Sequence, residues 1–204
     1  MMIHRLFLAV SLASASAFAA DPPPVVPPKP APVIEPANQL SGQALIDALR
    51  KGGFVLYMRH AKYEKITETC NEKNLAPDGE AQAKAVGVAI RDHKIPIGSV
   101  RPSPQCRAIE TAKLLEVGPV TPTPDLNPAA TKDEQLHNAR RKLLAEVPRK
   151  GTNTILVSHV QNSEDRNVQI TLGQCEIVVY RPDGHGGAVA VARITPEDWA
   201  SLPK

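Results

Sequence analysis

The sequence predicts an α/β protein, a three-layer α/β/α sandwich with a mostly parallel sheet. Two apolar runs, FVLYM at 54–58 and ILVS at 155–158, read as buried strands. Segments of helical periodicity alternate with them, and such alternation implies a largely parallel sheet covered on both faces. Near the end, QCEIVVYR and AVAVARI flank the turn PDGHGG and read as an antiparallel hairpin.

The chain opens with a short positive segment, MMIHR, an apolar stretch, LFLAVSLASASAF, and the small-residue signal Ala17-Phe18-Ala19. This pattern predicts a secretory signal peptide over residues 1–19 and a periplasmic or secreted mature protein. Serines interrupt the apolar stretch and DPPP follows it, so cleavage is expected rather than a membrane anchor of roughly 20 continuous apolar residues. No later segment is long and apolar enough to span a bilayer. Residues 20–39 form a Pro-rich linker, where many of the chain's 20 prolines gather. Proline removes the backbone donor and fixes φ, so this stretch is an extended tether, at about 3.1 Å per residue reaching on the order of 50 Å.

A single catalytic domain is expected over residues 40–204, long enough for a real core. Hydrophobic residues make up 42% of the chain but aromatics only 3%, so Val, Ile, Leu and Ala must fill that core. The net charge of +3, spread over a mixed-sign sequence, is too weak to argue for a nucleic-acid partner. A small anionic substrate must instead meet local cations.

In SGQALIDALRKGG, Ser41 offers an N-cap, Leu45, Ile46 and Leu49 share a face, and Gly52 stops the helix. The strand at 54–58 follows and delivers Arg59 and His60 into a loop. Residues 61–76 lack periodicity, and a loop of that length in a compact domain is usually functional or disordered; its Lys62, Lys65 and Lys73 are candidates to meet an anion. DGEAQAKAVGVAIRDHK predicts a helix with Ala85, Val86, Ala89 and Ile90 inward and acids at its positive end. IPIGSV is a short strand. Ser103 as N-cap and Pro104 as first helical residue then predict a helix over 104–116, with Arg107 near its free N–H groups. A helix over 132–147 presents Leu136, Ala139, Leu143, Leu144 and Val147, and the strand after it ends in His159. Thr195 caps a final turn holding Trp199.

In doubly wound sheets ligands sit outside the carboxyl ends of the strands, where His60 and His159 fall. Two histidines and two arginines there suit phosphoryl transfer. A neutral imidazole attacks phosphorus to form a covalent intermediate, arginines hold the equatorial oxygens, and the second histidine donates to them. This chemistry requires no metal or other cofactor. His4, His93, His137 and His185 read as structural. Cys70, Cys106 and Cys175 are an odd count for an exported chain: either Cys70 and Cys106 bridge and pin the loop beside Arg107, or all three are small buried residues.

From about residue 40 onward the chain resembles the histidine phosphatase superfamily, in the branch containing phosphoglycerate mutases and acid phosphatases. The resemblance rests on Arg59-His60 after an apolar strand, the LAPDGEAQA helix start, SPQCRAIETA with Arg107, and ILVSH ending in His159. It is closest to small exported bacterial members, among them enzymes thought to act on phosphorylated lipopolysaccharide sugars. It implies a phosphoglycerate mutase-like fold, His60 as the phosphorylated nucleophile, and Arg59, Arg107 and His159 as the phosphate pocket. Ala61 and Val160 stand where the family often has glycine after each histidine. For the proton donor to the leaving group, Asp125 lies in the stretch where mutase-like members carry a glutamate, with Asn127 in its usual place after leucine; Glu110, Glu164 and Glu176 are alternatives.

The expected activity is hydrolysis of a small or envelope-associated phosphomonoester. The mutase-type acid is missing and an exported enzyme lacks an obvious glycolytic substrate, which argues against a mutase. A rival reading is a binding module of the same fold, weak or inactive in catalysis, that holds a phosphorylated ligand. A third makes the Pro-rich tether the working part, docking to an envelope partner.

Overall fold

The computed structural model describes residues 34, 36–65, 70, 74–128, 133–159 and 172–204. The predicted signal peptide and most of the Pro-rich segment lie outside these residues. A 3-10 turn at Pro36–Asn38 leads into α1 (Gly42–Lys51), β1 (Val55–Arg59), α2 (Pro77–Asp92), β2 (Ile97–Pro102) and α3 (Cys106–Leu115). A second 3-10 turn at Pro124–Leu126 precedes α4 (Glu134–Ala145), β3 (Asn153–Ser158), β4 (Ile177–Pro182), β5 (Ala188–Ile194) and a last 3-10 turn at Asp198–Ala200.

The strands form one sheet in the order β2-β3-β1-β4-β5. β2, β3 and β1 are parallel neighbours, whereas β4 runs antiparallel to both β1 and β5. The sheet is therefore mixed, and the expectation of a mostly parallel one is corrected. A tight turn can only return a strand antiparallel, and the hairpin places β4 directly against β1. Local alternation of strands and helices carries no information about that non-local pairing.

Side chains alternate across the pleat. Leu56 and Met58 face Leu45, Ile46 and Leu49 of α1, Val86 and Ile90 of α2 and Ala108 of α3. Val55 and Tyr57 face Leu143 and Leu144 of α4 on the other side. Truncating any fully buried Leu or Ile of these clusters to Ala should cost about 2–5 kcal/mol. At the amino ends of the strands, buried Asn153 donates to Leu49 O and Pro96 O and accepts from Phe54 N, stitching α1 and the starts of β1 and β2 together.

Three helices differ in detail from their sequence reading. In α2 the buried residues are Gly79, Ala83, Val86, Gly87 and Ile90, while Ala85 faces solvent. A Cβ on Gly87 would land on the Leu115 carbonyl, so α2 turns its small residues toward α3 to let the two backbones approach. The third helix begins at Cys106, later than expected: the Ser103 hydroxyl accepts from Gln105 N, but Gln105 is extended and the helix starts only after it. α4 ends at Ala145, which leaves Val147 largely exposed, and Asp133 caps it by accepting from Leu136 N. Ser41 precedes α1 without a side-chain cap bond. The Cys70–Cys106 disulfide is formed, with a Cα–Cα distance of 5.0 Å, and Cys175 is a free, buried thiol whose pKa burial pushes up to about 12.

Candidate active site

β2, β3 and β1 are adjacent and parallel, so their carboxyl ends share one edge of the sheet. Arg59 pairs in register with Ser158, His60 N donates to Ser158 O at 3.0 Å, and Ser103 N donates to Val157 O at 2.8 Å. The ladder thus fixes His60, His159 and Ser103 side by side. Their imidazoles are buried, with ring centroids 5.1 Å apart in an edge-on arrangement. Arg107 enters from the first turn of α3, and its Nε donates to His60 Nε2 at 3.2 Å.

The tautomer of His60 follows from its partners. The Ala61 carbonyl can only accept, so Nδ1 carries the proton of that 2.8 Å bond and Nε2 keeps its lone pair toward Arg107. Burial lowers the His60 pKa to about 4, with the Arg107 and Arg59 charges pushing the same way against the Ala61 bond. Burial also takes His159 down to about 2, helped by the nearby charges of His60, Arg107, Arg140 and Arg59. Both imidazoles are therefore neutral near pH 7. Ser103 accepts from Gln105 N and donates to Asn127 Oδ1, so His159 Nε2 donates to its oxygen at 2.9 Å. Arg59 donates through Nη1 to Leu172 O at 2.8 Å, and burial lowers its pKa and that of Arg107. Arg59 Nε and His159 Nδ1 are buried with no hydrogen-bond partner among the described residues.

Arg59, His60, Arg107 and His159 thus converge on one cluster. Two further sequence candidates stand apart from it. Lys62 Nζ pairs with Asp78 at 2.7 Å on the exposed side of the loop. Asp125 is exposed and lines a groove with Gln135, Asn138 and Lys142 of α4, so the structure does not bring its carboxylate to the cluster. Glu110 Oε2 is occupied by Asn74 N and Leu75 N, and Glu176 pairs with Arg193 and accepts from Gly173 N. Lys73, Val160 and Glu164 lie outside the described residues. Three site residues escaped sequence reasoning: Ser103, Asn127 and Tyr63. The carboxyl-end rule that identified His60 and His159, applied also to β2, would have pointed to Ser103. Nothing in the sequence marked Tyr63, whose ring lies 5.4 Å from that of His60 and 5.1 Å from the Arg107 guanidinium carbon.

Among the described residues, no group of three or more His, Cys, Asp or Glu is arranged to hold a metal ion, and no helix is long and apolar enough to cross a membrane.

The model of the histidine phosphatase superfamily (branch 1) matches residues 55–150. No curated protein sequence matches the chain. Among solved structures, the chain is similar to the protein histidine phosphatase SixA complexed with tungstate, at a TM-score of 0.54 and 19% identity over 71% of this chain and 98% of that one. It is similar to proteins assigned as phosphohistidine phosphatase SixA from Nakamurella multipartitia (TM-score 0.52, 17% identity, 71% and 96% covered) and Agrobacterium tumefaciens (TM-score 0.52, 15% identity, 71% and 98% covered). At these identities the likeness is one of fold.

Proposed function

We infer that the chain belongs to the histidine phosphatase superfamily and propose that it hydrolyses a phosphomonoester through a phosphohistidine on His60. The observation that carries the reading is the unprotonated Nε2 of His60, set by the Nδ1 bond to Ala61 O and faced by Arg107 Nε. A nucleophile needs that lone pair, and burial together with two guanidinium charges keeps it free.

A phosphoryl group meeting Nε2 would also meet Arg107, Arg59 and His159. A buried polar group without a partner costs about 1–3 kcal/mol, which an anion seated against Arg59 Nε and His159 Nδ1 would relieve. The anion's charge would raise the His159 pKa, so the second imidazole takes up a proton and donates it to the bound oxygens. In the first step the His60 N–P bond forms as the P–O bond to the leaving group breaks. In the second, water attacks phosphorus, N–P breaks, and inorganic phosphate leaves.

The phosphomonoester proposed is small or envelope-borne, with a lipopolysaccharide sugar phosphate as its leading class; a phosphohistidine side chain, a phosphoramidate in which a P–N bond would break in place of P–O, is the alternative substrate class. Export through the predicted signal peptide is part of this reading and is supported by the Cys70–Cys106 disulfide, since such bridges persist in oxidising compartments. A phosphate-binding module without turnover is the second reading, favoured by the absence of a free carboxylate at the cluster among the described residues.

Incubation of the mature protein with a labelled phosphomonoester, quenched in alkaline detergent, tests both. Covalent label is expected on the wild type and none on His60→Ala, whose turnover should fall at least about a thousandfold. Binding of phosphate with neither label nor turnover would favour the module. A panel of aryl, sugar and histidine phosphates then ranks substrates.

A further inference from the structure

We propose that Tyr63 is the leaving-group acid of this site: its phenol protonates the departing oxygen, in the place where a carboxylate would be sought. The inference rests on the phosphohistidine reading of His60 and deepens it.

The described carboxylates nearest the cluster are engaged or face elsewhere. Glu110 bonds two backbone amides, Glu176 pairs with Arg193, and Asp78 pairs with Lys62. Glu64 lines an outer cleft beside Lys65 and Lys84, and Asp125 lies along α4. Tyr63 instead stands at the mouth of the cluster, 36% exposed, with its ring edge-on to His60 and the Arg107 guanidinium over it. Its hydroxyl makes no hydrogen bond among the described residues. The phenol also lies close enough to both pocket arginines to oppose the lowering of their pKa values by burial. A tyrosinate there would be flanked by two guanidinium charges, which is what a proton donor needs as it becomes an anion.

The residue is held firmly. Tyr63 pairs antiparallel with Leu75, Glu64 N donates to Asn74 O, and Glu110 of α3 accepts from both amides on the facing segment. The Cys70–Cys106 disulfide ties the same loop to the start of α3, one residue from Arg107. Loop and helix therefore present Tyr63 and Arg107 as one unit.

The proton balance closes over the cycle. As the P–O bond breaks and His60 Nε2 bonds to phosphorus, the Tyr63 proton goes to the leaving oxygen. The tyrosinate then takes a proton from the water that attacks the phosphohistidine. A phenol is a stronger acid than an alkanol, so the transfer helps an alkyl leaving group and is superfluous for a nitrophenol.

The test is Tyr63→Phe, which keeps the ring packing, assayed on phosphomonoesters of graded leaving-group pKa from p-nitrophenyl to alkyl phosphate. The expected kcat/KM is within about twofold of wild type for p-nitrophenyl phosphate and down about a hundredfold for alkyl phosphates, a general-acid-sized loss. Uniform loss across the series, or no loss on alkyl phosphates, overturns the assignment while leaving the phosphohistidine reading intact. A steepened profile for Glu164→Gln beside an unchanged Tyr63→Phe does the same. Wild-type protein that hydrolyses none of the series and traps no phosphohistidine overturns both.

Discussion

Acidification from pH 8 to pH 5 should destabilise this protein through its two pocket imidazoles. His60 is lowered to about 4 and His159 to about 2, each from an ordinary 6.5, with burial the largest cause. Between those values and 6.5 the unfolded chain binds more protons than the folded one, so stability rises with pH in that window. The contribution is fully present above 6.5 and is lost as pH falls. At pH 5 an unfolded imidazole is almost wholly protonated, whereas folded His60 is protonated only about a tenth of the time. Linkage converts this into about 2 kcal/mol for each imidazole. Set against a total stability of about 5–15 kcal/mol for a domain, the pair is a large fraction.

Urea denaturation at pH 8, 7, 6 and 5 measures this, comparing wild type with His60→Gln and His159→Gln. Each variant should lose about 2 kcal/mol less than wild type over the range. Inorganic phosphate should blunt the wild-type loss, because an anion binding only the folded state stabilises it by mass action and favours a protonated His159. A wild-type stability that is flat from pH 8 to 5, or variants whose curves run parallel to it, would refute the assignment of buried, neutral imidazoles.

Ser103→Ala removes the acceptor of His159 Nε2 and the tie to Asn127, and should lower kcat/KM about tenfold and destabilise by about 1–3 kcal/mol in urea titrations, since it leaves a buried imidazole donor without a partner. Gly87→Ala should destabilise by several kcal/mol in urea titrations, because its methyl would meet the Leu115 carbonyl and force α2 away from α3. Replacing Cys70 and Cys106 together by Ala opens a closure of 36 residues, for which the chain-entropy relation gives about 3–4 kcal/mol. The same variant should lower kcat/KM, since the loop bearing Tyr63 loses its tie to α3; unchanged kinetics would show that the remaining hydrogen bonds hold it alone.

The pocket was legible in the sequence because its main residues sit where short-range rules apply. Arg59-His60 and His159 follow apolar runs, and in parallel strands such residues must gather on one edge. Arg107 follows a turn into a helix. What escaped depends on long-range approach. Ser103-Pro104 carries the local signature of a helix start, yet the hydroxyl is drawn to His159 and Asn127 and the helix begins at Cys106. Hydrophobic periodicity weighs side-chain size, so it placed Ala85 inward and overlooked Gly87, which is buried because its lack of a side chain admits the neighbouring backbone. The hairpin was visible, but its pairing beside β1 was not, and that pairing makes the sheet mixed.

The loop after His60 shows why the leaving-group side was harder to read than the phosphate side. A phosphate pocket is built by groups whose identity announces them, guanidinium and imidazole at strand ends. The other side here depends on a tyrosine in a stretch without periodicity, positioned by one bridge to Leu75, by backbone bonds to Glu110 and by a disulfide spanning 36 residues. The last two of those constraints join the loop to α3, the helix that also supplies Arg107. The guanidinium that adds to burial in lowering the His60 pKa and faces its nucleophilic nitrogen is therefore mechanically coupled to the phenol at the pocket mouth. A change that loosens the loop should impair nucleophile and leaving-group functions together, whereas removing only the Tyr63 hydroxyl should separate them.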